Sequence, residues 1–210
     1  APNEAELEKL REAFLRDETD IINEIGRLRT LGNIDYHAVA ALERVQTILN
    51  KLQGDCFEYV PAMIEKQFYV RVPEARRIAE SVEKHISGYG NASTLTSTQY
   101  SVIDTLVAQL MGEIIEAETT VMSTLRNALI GRPEDDVFRQ VGLRTVIRAK
   151  AAGRAANINQ FVVDMMREGV TAFVDKAGRN WSLYTYGNMA CRTTSRQAEI
   201  MAVLTADPEQ

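Results

Sequence analysis

The stretch TQYSVIDTLVAQLMGEIIEAETTVMSTLRNALI, residues 98–130, is the longest periodic segment of the chain. Apolar residues recur through it three or four positions apart, the spacing that places side chains on one face of an α-helix. They are Ile103, Val107, Leu110, Ile114, Ala117, Val121 and Leu125. A helix of this length spans about 50 Å. Gly131 and Pro133 follow it and predict where it stops.

Helical periodicity continues on both sides of this segment. Upstream, glycines and prolines divide it into predicted helices at 3–32, 35–54, 55–70 and 73–88. Pro61 lies inside the third of these and predicts a kink or a delayed start. Residues 87–98 are rich in Gly, Ser, Thr and Asn and predict a loop. Downstream, two more helices are predicted at 133–153 and 154–169. The fold class is therefore mainly α, a helical bundle or an elongated helical array.

The period changes near the C-terminus. VTAFVD (170–175) and RNWSLYTY (179–186) are short runs rich in β-branched and aromatic residues, and a glycine-containing turn separates them. This pattern is typical of a β-hairpin. We expect one small hairpin at about 170–184, followed by a helix that begins near Asn188.

Charge is distributed unevenly along the chain. Its net charge is −5. Residues 1–136 hold 14 Lys/Arg and 23 Asp/Glu, a net of −9, whereas residues 137–206 hold 10 and 4, a net of +6. This asymmetry predicts an acidic helical region at 1–131 and a basic region at 132–210, with different partners for the two surfaces.

No pattern of catalytic or metal-binding residues stands out. The 2 cysteines and 2 histidines are isolated from one another and lack metal-ligand spacing. Carboxylate pairs such as Glu113 with Glu116 have no histidine beside them, and no nucleophile elbow or phosphate-binding loop occurs. We therefore expect no catalytic residue, no metal, no cofactor and no enzymatic activity. No apolar run reaches the ~18 residues of a membrane span, so no membrane partner is expected.

Basic side chains offer a candidate binding surface. Between Val137 and Val163 there are five Lys/Arg and no acidic residue. A stripe of this kind neutralises phosphates in nucleic acids, but it equally suits an acidic protein neighbour, and both alternatives stay open. The candidate partner-binding or nucleic-acid-binding residues are Arg144, Arg148, Lys150 and Arg154, together with Arg192 and Arg196 of the C-terminal helix.

The sequence GVTAFVDKAGRNWSLYTYGNMACRTTSRQAE, residues 169–199, resembles the signature of a tailed-phage family, phage minor capsid protein 2, a relative of the head-morphogenesis proteins. The signature places an acid and Ala-Gly-Arg after a hydrophobic strand, then an aromatic, a Tyr, a Met and an Arg-Thr-Thr-x-Arg helix. The matching residues are Asp175, Ala177, Gly178, Arg179, Trp181, Tyr186, Met189, Arg192, Thr193, Thr194 and Arg196. The resemblance is strong over about 165–200 and weak before about 130. Gly187 and Asn188 depart from it, which affects only the helix cap.

The resemblance implies a structural protein of the virion, at the portal vertex inside the capsid. It implies several copies around the portal, contact with the portal protein and the major capsid protein, packaged DNA as a further partner, and assembly in the bacterial cytoplasm. Such a protein supports head assembly and DNA packaging or ejection. Because family members continue into a Cys-x-x-Cys region, the resemblance also implies that the chain is the N-terminal portion of a longer product.

The residues of the signature suit a structural role. Gly178 permits the positive φ of a tight turn, and Trp181 supplies a large anchor for a hairpin with little other apolar surface. Arg192 and Arg196 lie one helical turn apart, within reach of a common carboxylate or phosphate, and Glu199 offers Arg196 an ordinary surface ion pair. Two alternatives to the capsid role remain: a sequence-independent DNA-binding helical protein, and the helical leader of a longer enzyme or toxin.

Overall fold

Long helices account for most of the described residues. The structure is a computed structural model that describes residues 1–30, 34–83, 95–130, 172–174 and 180–206. Their bounds are α1, Glu4–Thr30; α2, Ile34–Glu83; α3, Ser97–Ile130; and α4, Leu183–Leu204. Two segments of three residues are extended, β1 at Ala172–Val174 and β2 at Asn180–Ser182.

The apolar stripe of the longest periodic segment forms the buried side of α3. Leu110, Ile114 and Leu125 are fully buried, and Ile103, Ala117 and Val121 are buried with them. The helix begins at a capping box that the sequence analysis overlooked. The backbone N–H of Gln99 donates to Thr96 Oγ1 at 3.1 Å, and the backbone N–H of Thr96 donates to Gln99 Oε1 at 2.9 Å. These bonds satisfy backbone donors that have no partner inside the helix.

Helix α2 runs for 50 residues without the divisions predicted for it. The expected boundary at Gly54, the delayed start at Pro61 and the start at Pro73 are wrong, because the helix continues through all three, whereas a kink at Pro61 stays a prediction. An interior glycine costs a helix about 1 kcal/mol and a proline about 3 kcal/mol. Burial offsets these costs: Leu52, Val60 and Met63 are fully buried, and each such side chain contributes about 1.5–3 kcal/mol.

The predicted mainly-α fold with a C-terminal hairpin needs correction at the hairpin. In the described part of the chain, pairing is confined to β1 and β2, antiparallel with Phe173 opposite Trp181. Leu183–Tyr186, predicted as strand, instead forms the first turn of α4. Among the described residues the architecture is helical, with four helices. The extended residues there are limited to β1 and β2, and residues 183–184 belong to α4, so the structure does not support the hairpin predicted over 170–184.

A second capping box explains why the chain turns helical at this point. The backbone N–H of Thr185 donates to Ser182 Oγ at 3.2 Å, and the backbone N–H of Ser182 donates to Thr185 Oγ1 at 3.1 Å. Ser182 is therefore the N-cap of α4, and the reciprocal bonds stabilise a helical start. The aromatic residues that follow have β propensity, but propensity is weaker than the cap and the packing of the helix.

The chain packs as two units. Unit 1 consists of Ala1–Arg11, Asp55–Glu113 and Asn188–Gln210. Its buried core includes Leu7, Leu10, Val60, Met63, Ile64, Phe68, Ile103, Leu110 and Ala198. Unit 2 consists of Glu12–Gly54 and Ile114–Gly187. Its core includes Phe14, Ile21, Ile25, Leu28, Val45, Leu49, Leu52, Ile114, Val121 and Leu125. The division into an acidic region at 1–131 and a basic region at 132–210 stays a prediction.

Candidate functional site

Helix α4 carries the part of the signature that the structure describes best. Within unit 1 its inner side is made of small residues, all of them buried: Ala190, Cys191, Thr194, Ser195, Ala198 and Ala202. Small side chains let a helix backbone approach its neighbours closely. Thr194 of the signature therefore packs inside the protein, whereas Arg192, Thr193 and Arg196 are exposed.

A buried network of hydrogen bonds holds α4 in unit 1. Asn3 Nδ2 donates to Ser195 Oγ and to the backbone carbonyl of Met63, both at 2.8 Å. Gln67 Nε2 donates to Ser195 Oγ at 3.0 Å and to Asn3 Oδ1 at 3.2 Å. Asn3, Gln67 and Ser195 are at most 5% exposed, so these hydrogen bonds form inside the protein. We call these three residues the polar lock.

The polar lock was missed by the sequence analysis. The sequence places Asn3 at the start of the helix predicted at 3–32, but its side chain bonds Met63 and Ser195. Ser195 stands between Thr194 and Arg196 of the signature and was left out of it. The one available signal was the presence of polar residues at core positions of helical stripes.

Gly187 was expected to affect only the helix cap, but the structure gives it a role in packing. Within unit 2, a Cβ atom at this position would lie 2.4–2.5 Å from ring atoms of Phe14. Phe14 is 1% exposed, so its ring has little freedom to move away. Glycine therefore allows the start of α4 and the Phe14 ring to make close contact.

The two predicted arginines of α4 lie at the surface. Arg192 Nη2 is 3.7 Å from Glu4 Oε1, and the side chain of Arg192 is 44% exposed. The pKa of Glu8 is lowered, chiefly by a hydrogen bond from Arg11 and to a lesser degree by the charges of Arg11 and Arg192. Such exposed pairs contribute little to stability. Both arginines remain accessible to a partner.

An exposed apolar group lies on the same side of α4. Ile200 is 58% exposed, Val203 51% and Leu204 52%. With about 3.6 residues per turn, these positions fall on the side that also carries the signature arginines. We name this surface the α4 outer face; it consists of Arg192, Thr193, Arg196, Ile200, Val203 and Leu204. It combines exposed cationic groups with exposed apolar groups.

The structure describes only some of the remaining predicted residues. Tyr186 and Met189 are half-buried, and Met189 Sδ accepts a hydrogen bond from Thr193 Oγ1 at 3.6 Å. Trp181 belongs to β2. The others lie outside the described residues, and their roles stay predictions: Arg144, Arg148, Lys150, Arg154, Asp175, Gly178 and Arg179.

The thiol of Cys191 on α4 belongs to the packed interior. Burial raises the pKa of the Cys191 thiol to about 12, so this thiol is a poor nucleophile at neutral pH. Within the ranges given above, no group of three or more His, Cys, Asp or Glu is placed to hold a metal ion. No helix there is both long and apolar enough to cross a bilayer.

The family comparison agrees with the signature and extends it. The family model for phage minor capsid protein 2 matches residues 14–205, and therefore also the helical region upstream of residue 130. No curated protein and no solved structure matches the chain. With most of its 210 residues matched, the chain belongs to the phage minor capsid protein 2 family.

Proposed function

We propose that this chain is a structural connector at the portal vertex of a tailed phage. Its family makes it a virion component whose partners are other proteins of virion assembly. In the proposed role, several copies contact the portal protein and the major capsid protein from inside the capsid. They support head assembly and the packaging or ejection of DNA.

The observation that carries the proposal is the two-sided construction of α4. On its inner side the polar lock and small buried residues fix the helix in unit 1. On its outer side, Ile200, Val203 and Leu204 are each more than half exposed. A rigid helix with an exposed apolar group suits docking onto another protein, because little conformational entropy is lost on binding.

The composition of the α4 outer face indicates how docking would work. Interfaces commonly have an apolar centre and a polar rim, and arginine is enriched in them. Ile200 and Val203 would supply the apolar centre, and Arg192 would contribute at the rim. Arginine makes bidentate bonds with carboxylates and so orients an acidic partner. We therefore expect the docking surface of the portal to be apolar and acidic.

Co-sedimentation with purified portal tests the proposal. The variant Ile200→Asp/Val203→Asp places two charges in the apolar centre, and we expect it to lose at least about tenfold in affinity, since burying unpaired charge at an interface is costly. The matched control is Val39→Asp, which changes an apolar residue that is 60% exposed and belongs to unit 2. Wild-type chain that fails to sediment with portal would contradict the proposal. So would a double variant that binds as well as the control.

A further inference from the structure

Glu118 is a buried acid in unit 2, and no cationic side chain among the described residues pairs with it. This residue of α3 is 4% exposed. Its Oε2 accepts a hydrogen bond from Gln53 Nε2 of α2 at 2.8 Å. Its Oε1 is buried and has no hydrogen-bond partner among the described residues. A carboxylate in this setting is costly to maintain, because a single neutral donor replaces its hydration.

A second carboxylate increases the cost of ionising Glu118. From α1, the negative charge of the buried Asp17 carboxylate acts on Glu118, while Arg16 donates to Asp17 at 2.8 and 3.2 Å. From α2, Gln53 supplies a neutral amide. Burial, followed by the charge of Asp17, raises the pKa of Glu118 to about 7, although the bond from Gln53 opposes the shift.

We propose that Glu118 is a proton-dependent switch in unit 2: its segments of α1, α2 and α3 stay packed while the carboxyl is neutral, and ionisation of this carboxyl loosens them. Opening exposes Glu118 to water, where the charged form is stable. Because the closed form binds the proton more tightly than the open form, closure weakens as the pH rises between about 4.5 and 7.

Glu6 of unit 1 shows how a cationic partner changes the pKa of a buried carboxyl. Its Oε2 is likewise buried without a hydrogen-bond partner, but Lys66 donates to its Oε1. Burial opposes ionisation of Glu6, yet the bond and the charge of Lys66 prevail and its pKa is lowered. Glu6 therefore stays charged over the pH range in which Glu118 changes state, and the proposed switch belongs to Glu118.

Hydrogen exchange on the whole chain tests the proposal. Amides of 114–130 are followed at pH 5 and pH 8, with intrinsic exchange rates taken into account. We expect their protection in the wild-type protein to fall on the order of 50-fold between these pH values. Glu118→Gln and Glu118→Met, both neutral, should show no such fall. Glu116→Gln, which changes an exposed acid on the same helix, should behave as wild type.

Two hydrogen-exchange results would overturn the switch. One is equal protection of the wild-type amides at both pH values, and the other is a fall in the neutral variants as large as in the wild type. A second measurement needs no folded variant: the carboxyl ¹³C signal of Glu118 should titrate with a midpoint near 7. A midpoint near 4.5, the ordinary value, would also exclude the switch.

Discussion

Ser195 accepts a hydrogen bond from Asn3 at 2.8 Å, although 192 residues separate them in the chain. This bond joins the N-terminal end of α1 to the signature helix inside unit 1. It places a polar residue of the signature segment in the interior, while Arg192 and Arg196 stay at the surface. The signature therefore combines residues packed in the interior with residues exposed at the surface.

Ser195→Ala should destabilise the protein by about 1–3 kcal/mol. The change removes the acceptor shared by Asn3 and Gln67 and leaves a buried amide hydrogen on each without a partner. Chemical denaturation measures the loss. Gln197→Ala, an exposed change two positions away, is the control and should lie within about 0.5 kcal/mol of wild type. Equal stability of the two variants would refute the importance of the polar lock.

Gly187→Ala should destabilise the protein by about 1–3 kcal/mol through overpacking against Phe14. Gly112→Ala is a matched control, because it also adds a methyl group to a helix but meets no atom within 4 Å. That change should stabilise the protein by up to about 1 kcal/mol, since alanine favours helix more than glycine does. Thermal unfolding of both variants decides the matter. Melting shifts of the same sign would count against the Phe14 contact.

Lys66→Met should destabilise the protein more at pH 7 than at pH 4. Lys66 lowers the pKa of Glu6, so its contribution is present above about pH 4.5 and is lost as the pH falls through the folded pKa. We expect a loss of about 1–2 kcal/mol at pH 7, reduced because Lys66 is 46% exposed. Urea unfolding at both pH values measures it, with Lys51→Met as the exposed control. A loss independent of pH would show that the ion pair is not its cause.

The five Lys/Arg between Val137 and Val163, here called the basic stripe, give a prediction that rests on the sequence alone. If it docks on an acidic portal surface, changing Arg144, Arg148 and Arg154 to Ala should weaken sedimentation with portal, and the isolated wild-type chain should bind duplex DNA only weakly. Unchanged portal binding by the triple variant would remove the stripe from the interface. Tight DNA binding by the chain alone, with affinity falling steeply with salt, would favour the DNA-binding alternative.

The sequence allowed the helices to be predicted better than their ends. The stripe from Ile103 to Leu125 identified α3, because every turn of that helix buries an apolar residue. The helix boundaries predicted at Gly54 and Pro61 were wrong. Glycine and proline destabilise a helix locally, but this local cost does not reveal that burial of neighbouring side chains offsets it. At Ser182 the aromatic run favoured a strand, whereas the serine and threonine three positions apart form a cap.

The candidate site was only partly predictable, for a different reason. The arginines of α4 are recognisable because the signature names them, and they lie at the surface. The bonds among Asn3, Gln67 and Ser195 depend on which helices meet, which residue spacing along one chain does not specify. The clash that a side chain at Gly187 would create is equally a property of the packed structure.

The most direct test of the central claim is the amount of this chain in purified virions. A phage lacking the gene is complemented with wild-type chain, with Ile200→Asp/Val203→Asp or with the Val39→Asp control, and the protein is quantified by mass spectrometry of purified particles. We predict that the wild type and the control are incorporated, whereas the double variant is depleted at least about tenfold because its α4 outer face no longer docks. Virions that lack the wild-type chain, or that contain the double variant at the wild-type level, would contradict this account.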